Sequence, residues 1–304
     1  MRPRLRYRDF ALWQIFCNFV FIRLMPFMET PIKRSVLDYN DIVELVPRLK
    51  GHEKLVNRVL HLLSVDKVNA VHDKYCDNPG PEFARNLLKD FDITLDVDGR
   101  EVLDNLPEGA FVTVSNHPFG ALDGISLIAL IASIRPEFKV MVNMVLNHIS
   151  AMRPNFIAVD ALASDDPAKK AVSMKGIKEA IMQVRSGKPI GFFPAGAVSK
   201  VNRHLRLEDR QWQPSIVRLI KQFDKPVIPI FFHGSNSTWF NILGVIDWRL
   251  RTLRLPAEVW RKCHTTIRIS VGEPIYPEQL KEYSDIDSLG EFLKKKTYEL
   301  RDRK

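Results

Sequence analysis

Cysteine is scarce in this chain of 304 residues: Cys17, Cys76 and Cys263 stand far apart. An odd, scattered set argues against a disulfide framework or a Cys-x-x-Cys zinc site, and fits reduced thiols in a cytoplasmic compartment. No Walker A loop, no Gly-x-Gly-x-x-Gly and no Gly-x-Ser-x-Gly elbow occurs, which removes the usual signals for nucleotide binding and for a serine hydrolase. His148, His204, His233 and His264 lack the paired spacing of metal ligands, so no metal is expected. There is no internal repeat and no low-complexity tract. Long apolar runs are missing too. Residues 10–22 form an apolar stretch shorter than the roughly 20 residues that span a bilayer, and no convincing small-residue cleavage site follows it. Acidic residues are the minority charge, 36 Asp and Glu against 45 Lys and Arg. That balance favours an anionic partner, whether nucleic acid, a phospholipid surface or an acidic carrier protein, and does not choose among them.

What is present is patterned. The apolar fraction of 45% supports a sizeable core. Residues 29–91 read as a helical N-terminal cap. Leu55, Val56, Val59, Leu60 and Leu63 recur at helical spacing, as do Phe83, Leu87, Leu88 and Phe91. Asp77-Asn78-Pro79-Gly80-Pro81 breaks the chain between these two stripes. From about residue 92 the pattern changes. Residues 93–97 alternate like a half-buried strand, and short apolar runs at 111–114, 140–142, 156–159, 190–193, 227–232 and 266–271 read as buried strands. A helix is expected over about 167–186, capped by Asp166 and stopped at Gly187, with Ala171, Met174, Ile177, Ile181 and Val184 as its apolar stripe. Another is expected at about 286–301. Strands alternating with helices predict an α/β domain over 92–304, with a mostly parallel central sheet flanked by helices.

Chemistry concentrates in Phe111-Val-Thr-Val-Ser-Asn-His-Pro-Phe-Gly-Ala-Leu-Asp-Gly124. A buried strand ends at Ser115, a tight turn follows, and an apolar helix is expected from about Ala121. His117 therefore falls at the carboxyl end of a strand, a common place for ligands in open α/β sheets. Asp123 falls near the helix start, where a carboxylate is electrostatically favoured. It is close enough to orient one imidazole nitrogen and leave the other free as a base, taking a proton from a hydroxyl or amine that attacks a thioester. On spacing alone, His117 could equally cap the turn and Asp123 the helix.

This block resembles the first motif of the PlsC-like superfamily of lysophospholipid and glycerol-phosphate acyltransferases, in which Asn-His is followed by four residues and Asp. Here five intervene, Pro118 to Leu122, as in a subgroup labelled putative haemolysin that includes O-acyltransferases of glycine-lipid and ornithine-lipid synthesis. Gly191-Phe-Phe-Pro-Ala-Gly-Ala-Val-Ser-Lys200 resembles the superfamily's Phe-Pro-Glu-Gly-Thr block, with Ala195 in place of Glu. Val227-Ile-Pro-Ile230 resembles its late Val-Ile-Pro block, and Phe156-Ile-Ala-Val-Asp160 matches a second block weakly. The resemblance covers about residues 29–280. It implies His117 as base and Asp123 as its orienter. Asn116, Gly120, Phe193, Pro194, Ala195 and Gly196 are then expected to shape the acceptor pocket, and Lys200 and Arg203 to meet an anionic headgroup or simply to be solvated. It further implies an acyl carrier protein or coenzyme A thioester as donor, a lyso-lipid acceptor and no bound cofactor. The loss of Glu at position 195, with the changed His–Asp spacing, favours an amino-acid lyso-lipid over lysophosphatidate.

Residues 236–264 interleave Trp239, Phe240, Trp248 and Trp260 with Arg249, Arg251, Arg254, Arg261 and Lys262. Rings mixed with cations suit an anionic membrane surface. They would also suit single-stranded nucleic acid, or a plain amphipathic lid. The expected membrane contacts are Trp239, Phe240, Trp248, Arg249, Arg251 and Arg254, with peripheral attachment to the cytoplasmic face of the inner membrane and no nucleic-acid partner. Residues 1–28 carry five Arg and one Asp around their apolar run. They read either as an interfacial anchor or as a non-native extension ahead of a start at Met25 or Met28.

Overall fold

The computed structural model describes residues 32–159, 167–202, 207–246 and 255–303. Arg34–Lys304 form one compact unit. Helices come first: α1 (Tyr39–Leu45), α2 (Glu53–Leu62), α3 (Val65–Tyr75) and α4 (Pro81–Asp90). Asp38 caps α1, its side chain accepting from the N–H groups of Asn40 and Asp41. The break at 77–81 has a local cause. Gly80 takes a positive φ of 77°, and Pro81, which has no N–H to leave orphaned, opens α4.

Then come β1 (Thr94–Asp98), α5 (Arg100–Asp104), β2 (Val112–Ser115), α6 (Ala121–Leu127) with a π turn at Ile128–Ala132, β3 (Lys139–Asn143), β4 (Phe156–Val159), α7 (Pro167–Arg185) and β5 (Ile190–Phe192). A small hairpin, β6 (Lys200–Val201) and β7 (Leu207–Glu208), precedes α8 (Pro214–Phe223), β8 (Val227–Phe232), α9 (Thr238–Ile246), α10 (Leu255–Trp260), β9 (Thr266–Val271), α11 (Pro277–Lys281) and α12 (Ile286–Glu299). Seven strands form one sheet in the order β1-β9-β8-β2-β5-β3-β4. Every pairing is parallel except β8 with β9. The expected α/β class with a mostly parallel sheet is what the chain forms.

β2 is central and buried along its whole length, its polar Thr113 and Ser115 included. Val112 and Val114 meet Ile190 and Phe192 of β5 and Val227 of β8 in the main core. Ala180 and Val184 of α7, Val217 and Ile220 of α8, and Leu289 and Leu293 of α12 close over them.

One expected stripe is corrected in its first half. In α7, Val184 is buried and Ile177 and Ile181 are half-buried, as expected, but Ala171 and Met174 are exposed, and Gly176, Ala180 and Gln183 are buried instead. Gly176 lets the helix approach β4 so closely that a Cβ there would lie 2.5 Å from the Ala158 carbonyl oxygen.

Candidate active site

β8, β2 and β5 are parallel neighbours, so their carboxyl ends share one edge of the sheet. They deliver residues 233–237, 116–120 and 193–199 to the same place. The turn after β2 is fastened first by Asn116. Its buried amide donates to the Phe232 carbonyl at 2.9 Å and accepts from the Phe232 N–H at 2.7 Å, adding a side-chain rung to the β2–β8 ladder. Next, Gly120 turns the chain at φ +79°. A Cβ there would meet Leu255 at 2.9 Å, so both its conformation and its surroundings call for glycine. α6 begins immediately, and Asp123 is the third residue of its first turn.

From that position Asp123 reaches back. Its Oδ2 accepts from the N–H groups of Phe119 at 2.9 Å and Gly120 at 3.0 Å, and lies 2.9 Å from His117 Nδ1. The pair stands at ion-pair distance. The Asp123 side chain is fully buried whereas the His117 ring is 17% exposed, so one partner is sealed and the other can be reached. Burial pushes the Asp123 carboxyl above the ordinary carboxylate range, opposed by His117 and the two N–H donors. Phe193 stacks on the imidazole with centroids 4.2 Å apart and covers one ring face. Nδ1 faces Asp123, and Nε2 is the nitrogen left to exchange a proton with a substrate.

The structure thus brings His117, Asp123, Asn116, Gly120 and Phe193 together, but not all in the roles expected of them. Asn116 bonds Phe232 with both ends of its amide and fastens the turn. Ala195 is corrected. It is buried in the main core with Trp212 and Val217, so its methyl fills packing space instead of facing an acceptor. A glutamate there would bring a charge into that core. Pro194 is buried and its carbonyl accepts from Gln213 N–H at 2.9 Å, while Gly196 is exposed at φ +64°. Lys200 is exposed on the hairpin. Arg203, Trp248, Arg249, Arg251, Arg254, Asp160, Asp166, His204 and residues 1–28 lie outside the described residues. Of the expected membrane contacts, Trp239 is 62% exposed but Phe240 is completely buried. Neighbouring residues on a helix point to different sides, and Phe240 takes the inward one.

Three residues have places beside His117 that the motif reading did not assign, and Asp209 it did not mention at all. Asp209 is buried and its Oδ1 accepts from the His117 main-chain N–H at 3.3 Å. Ser199 donates its main-chain N–H to the His117 carbonyl at 2.8 Å. Lys262 lies 4.6 Å from the Phe119 ring centroid and donates to the Ser235 carbonyl at 2.7 Å. Burial lowers the Lys262 pKa, while Glu258 and Asp123 hold it up. Asp209 and Lys262 are 92 and 145 positions from His117 in the chain, and no spacing rule links them. Among the described residues no three His, Cys, Asp or Glu side chains converge as metal ligands would.

A reachable histidine backed by a sealed carboxylate, at the carboxyl edge of a parallel sheet, is an arrangement with the geometry that general-base chemistry requires. The chain belongs to the acyltransferase family, whose model matches residues 43–304. It is similar to a lyso-glycine lipid O-acyltransferase of Bacteroides thetaiotaomicron, 26% identical over 81% of this chain and 89% of that one. A lyso-glycine lipid O-acyltransferase of Phocaeicola vulgatus is 24% identical over 81% of this chain and 87% of its own length. Among solved structures, the 1-acyl-sn-glycerophosphate acyltransferase PlsC of Thermotoga maritima matches 73% of this chain and 83% of its own, with TM-score 0.43 and 16% identity.

Proposed function

We propose that this acyltransferase moves a fatty acyl group from a thioester to the free hydroxyl of a lyso-lipid, and that the lyso-lipid is of the glycine type. The observation that carries the chemistry is the His117–Asp123 contact beside an accessible ring. His117 Nε2 takes the acceptor's hydroxyl proton as that oxygen attacks the thioester carbonyl. The tetrahedral intermediate then expels the thiolate, and the imidazolium returns the proton to sulfur. Asp123 holds the ring and offsets its transient positive charge. The acceptor class is supported by the names of the two curated relatives and by cations beside the His117 turn. Lys200 follows Ser199, and Lys262 lies over Phe119. Either can meet a carboxylate. The donor's carrier is acyl carrier protein or coenzyme A, and the net charge of +9 suits either acidic partner.

The work is done by a peripheral protein at the cytoplasmic face of the membrane. Exposed Trp239 and Ile242, three residues apart on α9, support a shallow apolar contact. No helix among the described residues is long and apolar enough to cross a bilayer. The test offers a lyso-glycine lipid and lysophosphatidate side by side, each with one acyl chain on both carriers. The expected result is a higher kcat/KM for the lyso-glycine lipid. A clear preference for lysophosphatidate overturns the acceptor and leaves the transfer chemistry standing.

A further inference from the structure

The His117 main chain is held at both of its polar groups by a closed ring of hydrogen bonds. Its N–H donates to Asp209 Oδ1 at 3.3 Å, its carbonyl accepts from Ser199 N–H at 2.8 Å, and Ser199 Oγ donates to the same Asp209 Oδ1 at 2.6 Å. The other carboxylate oxygen accepts from Trp212 Nε1 at 3.3 Å. Asp209 is itself anchored, its N–H donating to Tyr298 Oη at 2.7 Å and its carbonyl accepting from Lys294 Nζ at 3.4 Å. All three groups at the carboxylate can donate into it, which is the surrounding an ionised, acceptor-only carboxylate requires. The segment does a second job one turn on, where Gln213 N–H binds the Pro194 carbonyl. One stretch, 209–213, therefore sets both the histidine and the loop whose Phe193 stacks on it.

We propose that Asp209 is a positioning residue for acyl transfer, acting through His117: it fixes the main chain that carries the base and holds a negative charge behind the imidazole as the ring becomes cationic. This rests on His117 being the base. Asp209 is distinct from Asp123, which meets the ring nitrogen from the opposite element, α6. The other ionisable groups nearby are Tyr298 and Lys294, which bond the Asp209 main chain, Glu208, which pairs with Lys294, and Lys262 over Phe119. Burial raises the Asp209 pKa, opposed by Ser199 and by the charge of His117, so the His117 and Asp209 charges act on each other. A low-dielectric position makes that charge more effective than a surface one.

Asp209→Asn tests this, because the amide keeps the shape and an acceptor oxygen while removing the charge. His117→Ala and wild type are assayed in parallel over a range of pH. The expected result for Asp209→Asn is a kcat lowered about ten- to one-hundred-fold, the size that a hydrogen bond to an ionised group commonly carries. KM for both substrates stays within about two-fold of wild type. A wild-type kcat overturns the proposal. So does a loss confined to KM, since a merely structural role gives that. If Asp209→Asn does not fold, Ser199→Ala carries the test by opening the ring without changing any charge. It is expected to lower kcat by about three-fold or more with KM kept, and an unchanged kcat overturns the positioning role. Full turnover in His117→Ala would instead remove the base itself, a failure separate from that of Asp209.

Discussion

At the scale of single residues, His117 and Asp123 divide their work by exposure. The ring is reachable and stacks on Phe193, and without it Asp123 keeps the N–H groups of Phe119 and Gly120, so the turn stays tied. His117→Ala is expected to lower kcat by about 10²–10⁴-fold, the usual contribution of a general base, while circular dichroism and the melting temperature stay near wild type. Turnover near wild type in the purified variant would sink the mechanism. Asp123 has the opposite character. Its folded pKa is raised by burial, so the ionised form is less comfortable in the fold than in the unfolded chain. The sign follows directly. Stability associated with protonated Asp123 is complete below the unfolded pKa of about 4 and is lost as pH rises through the folded value. Asp123→Asn removes that loss. It is expected to melt higher than wild type at neutral pH, with the advantage shrinking as pH falls toward 4, even as acyl transfer drops. Urea denaturation between pH 5 and 8 checks this, and an advantage that grows toward acid would reverse the assignment.

At the scale of elements, the close approach of α7 to β4 depends on Gly176. Two effects compete in Gly176→Ala. Helix propensity favours alanine by roughly 0.8–1 kcal/mol. Against it stands overpacking, which typically costs about 1–3 kcal/mol, and here the new methyl would meet a main-chain carbonyl oxygen at 2.5 Å. A carbonyl in a strand cannot swing aside as a side chain can, so overpacking wins. The variant is expected to melt about 2–4 °C lower for each kcal/mol lost. A melting temperature at or above wild type would mean that α7 does not sit this close to the sheet. α9 makes the complementary point at the surface. Trp239 and Ile242 are exposed while Phe240 turns inward, so that pair is free to meet lipid and Phe240 is not.

For the whole molecule, the proposed membrane attachment would have two parts, an excess of nine positive charges and the exposed Trp239. Cosedimentation with vesicles is expected to be strong for anionic lipid, weak for neutral lipid, and weaker as salt shortens the Debye length from about 10 Å at 0.1 M to about 3 Å at 1 M. Trp239→Ala should reduce the part that survives high salt, because that remainder is apolar. Equal binding to neutral and anionic vesicles would refute the electrostatic half.

What was legible in the sequence follows from what is local. Strands 156–159 and 227–232 are apolar runs, 266–271 alternates polar and apolar residues, and all three form within those bounds. The His117–Asp123 contact was legible because six positions of chain, turned at Gly120, make both residues part of one strand–turn–helix unit. The rest depends on packing between distant segments. Whether Ala195 faced an acceptor or the core was decided by Trp212 and Val217 closing over it. Whether Phe240 met lipid was decided by which side of α9 found space inside. Asn116 became a fastener only because β8 settled beside β2. The clearest case is Asp209, an unremarkable acid in Glu-Asp-Arg until the fold seals it against the main chain of His117. Periodicity and turn chemistry act over a few residues and can be read from order alone. The burial of a carboxylate, and hence its charge, pKa and reach, is a property of everything packed around it, and only the tertiary structure assembles those neighbours.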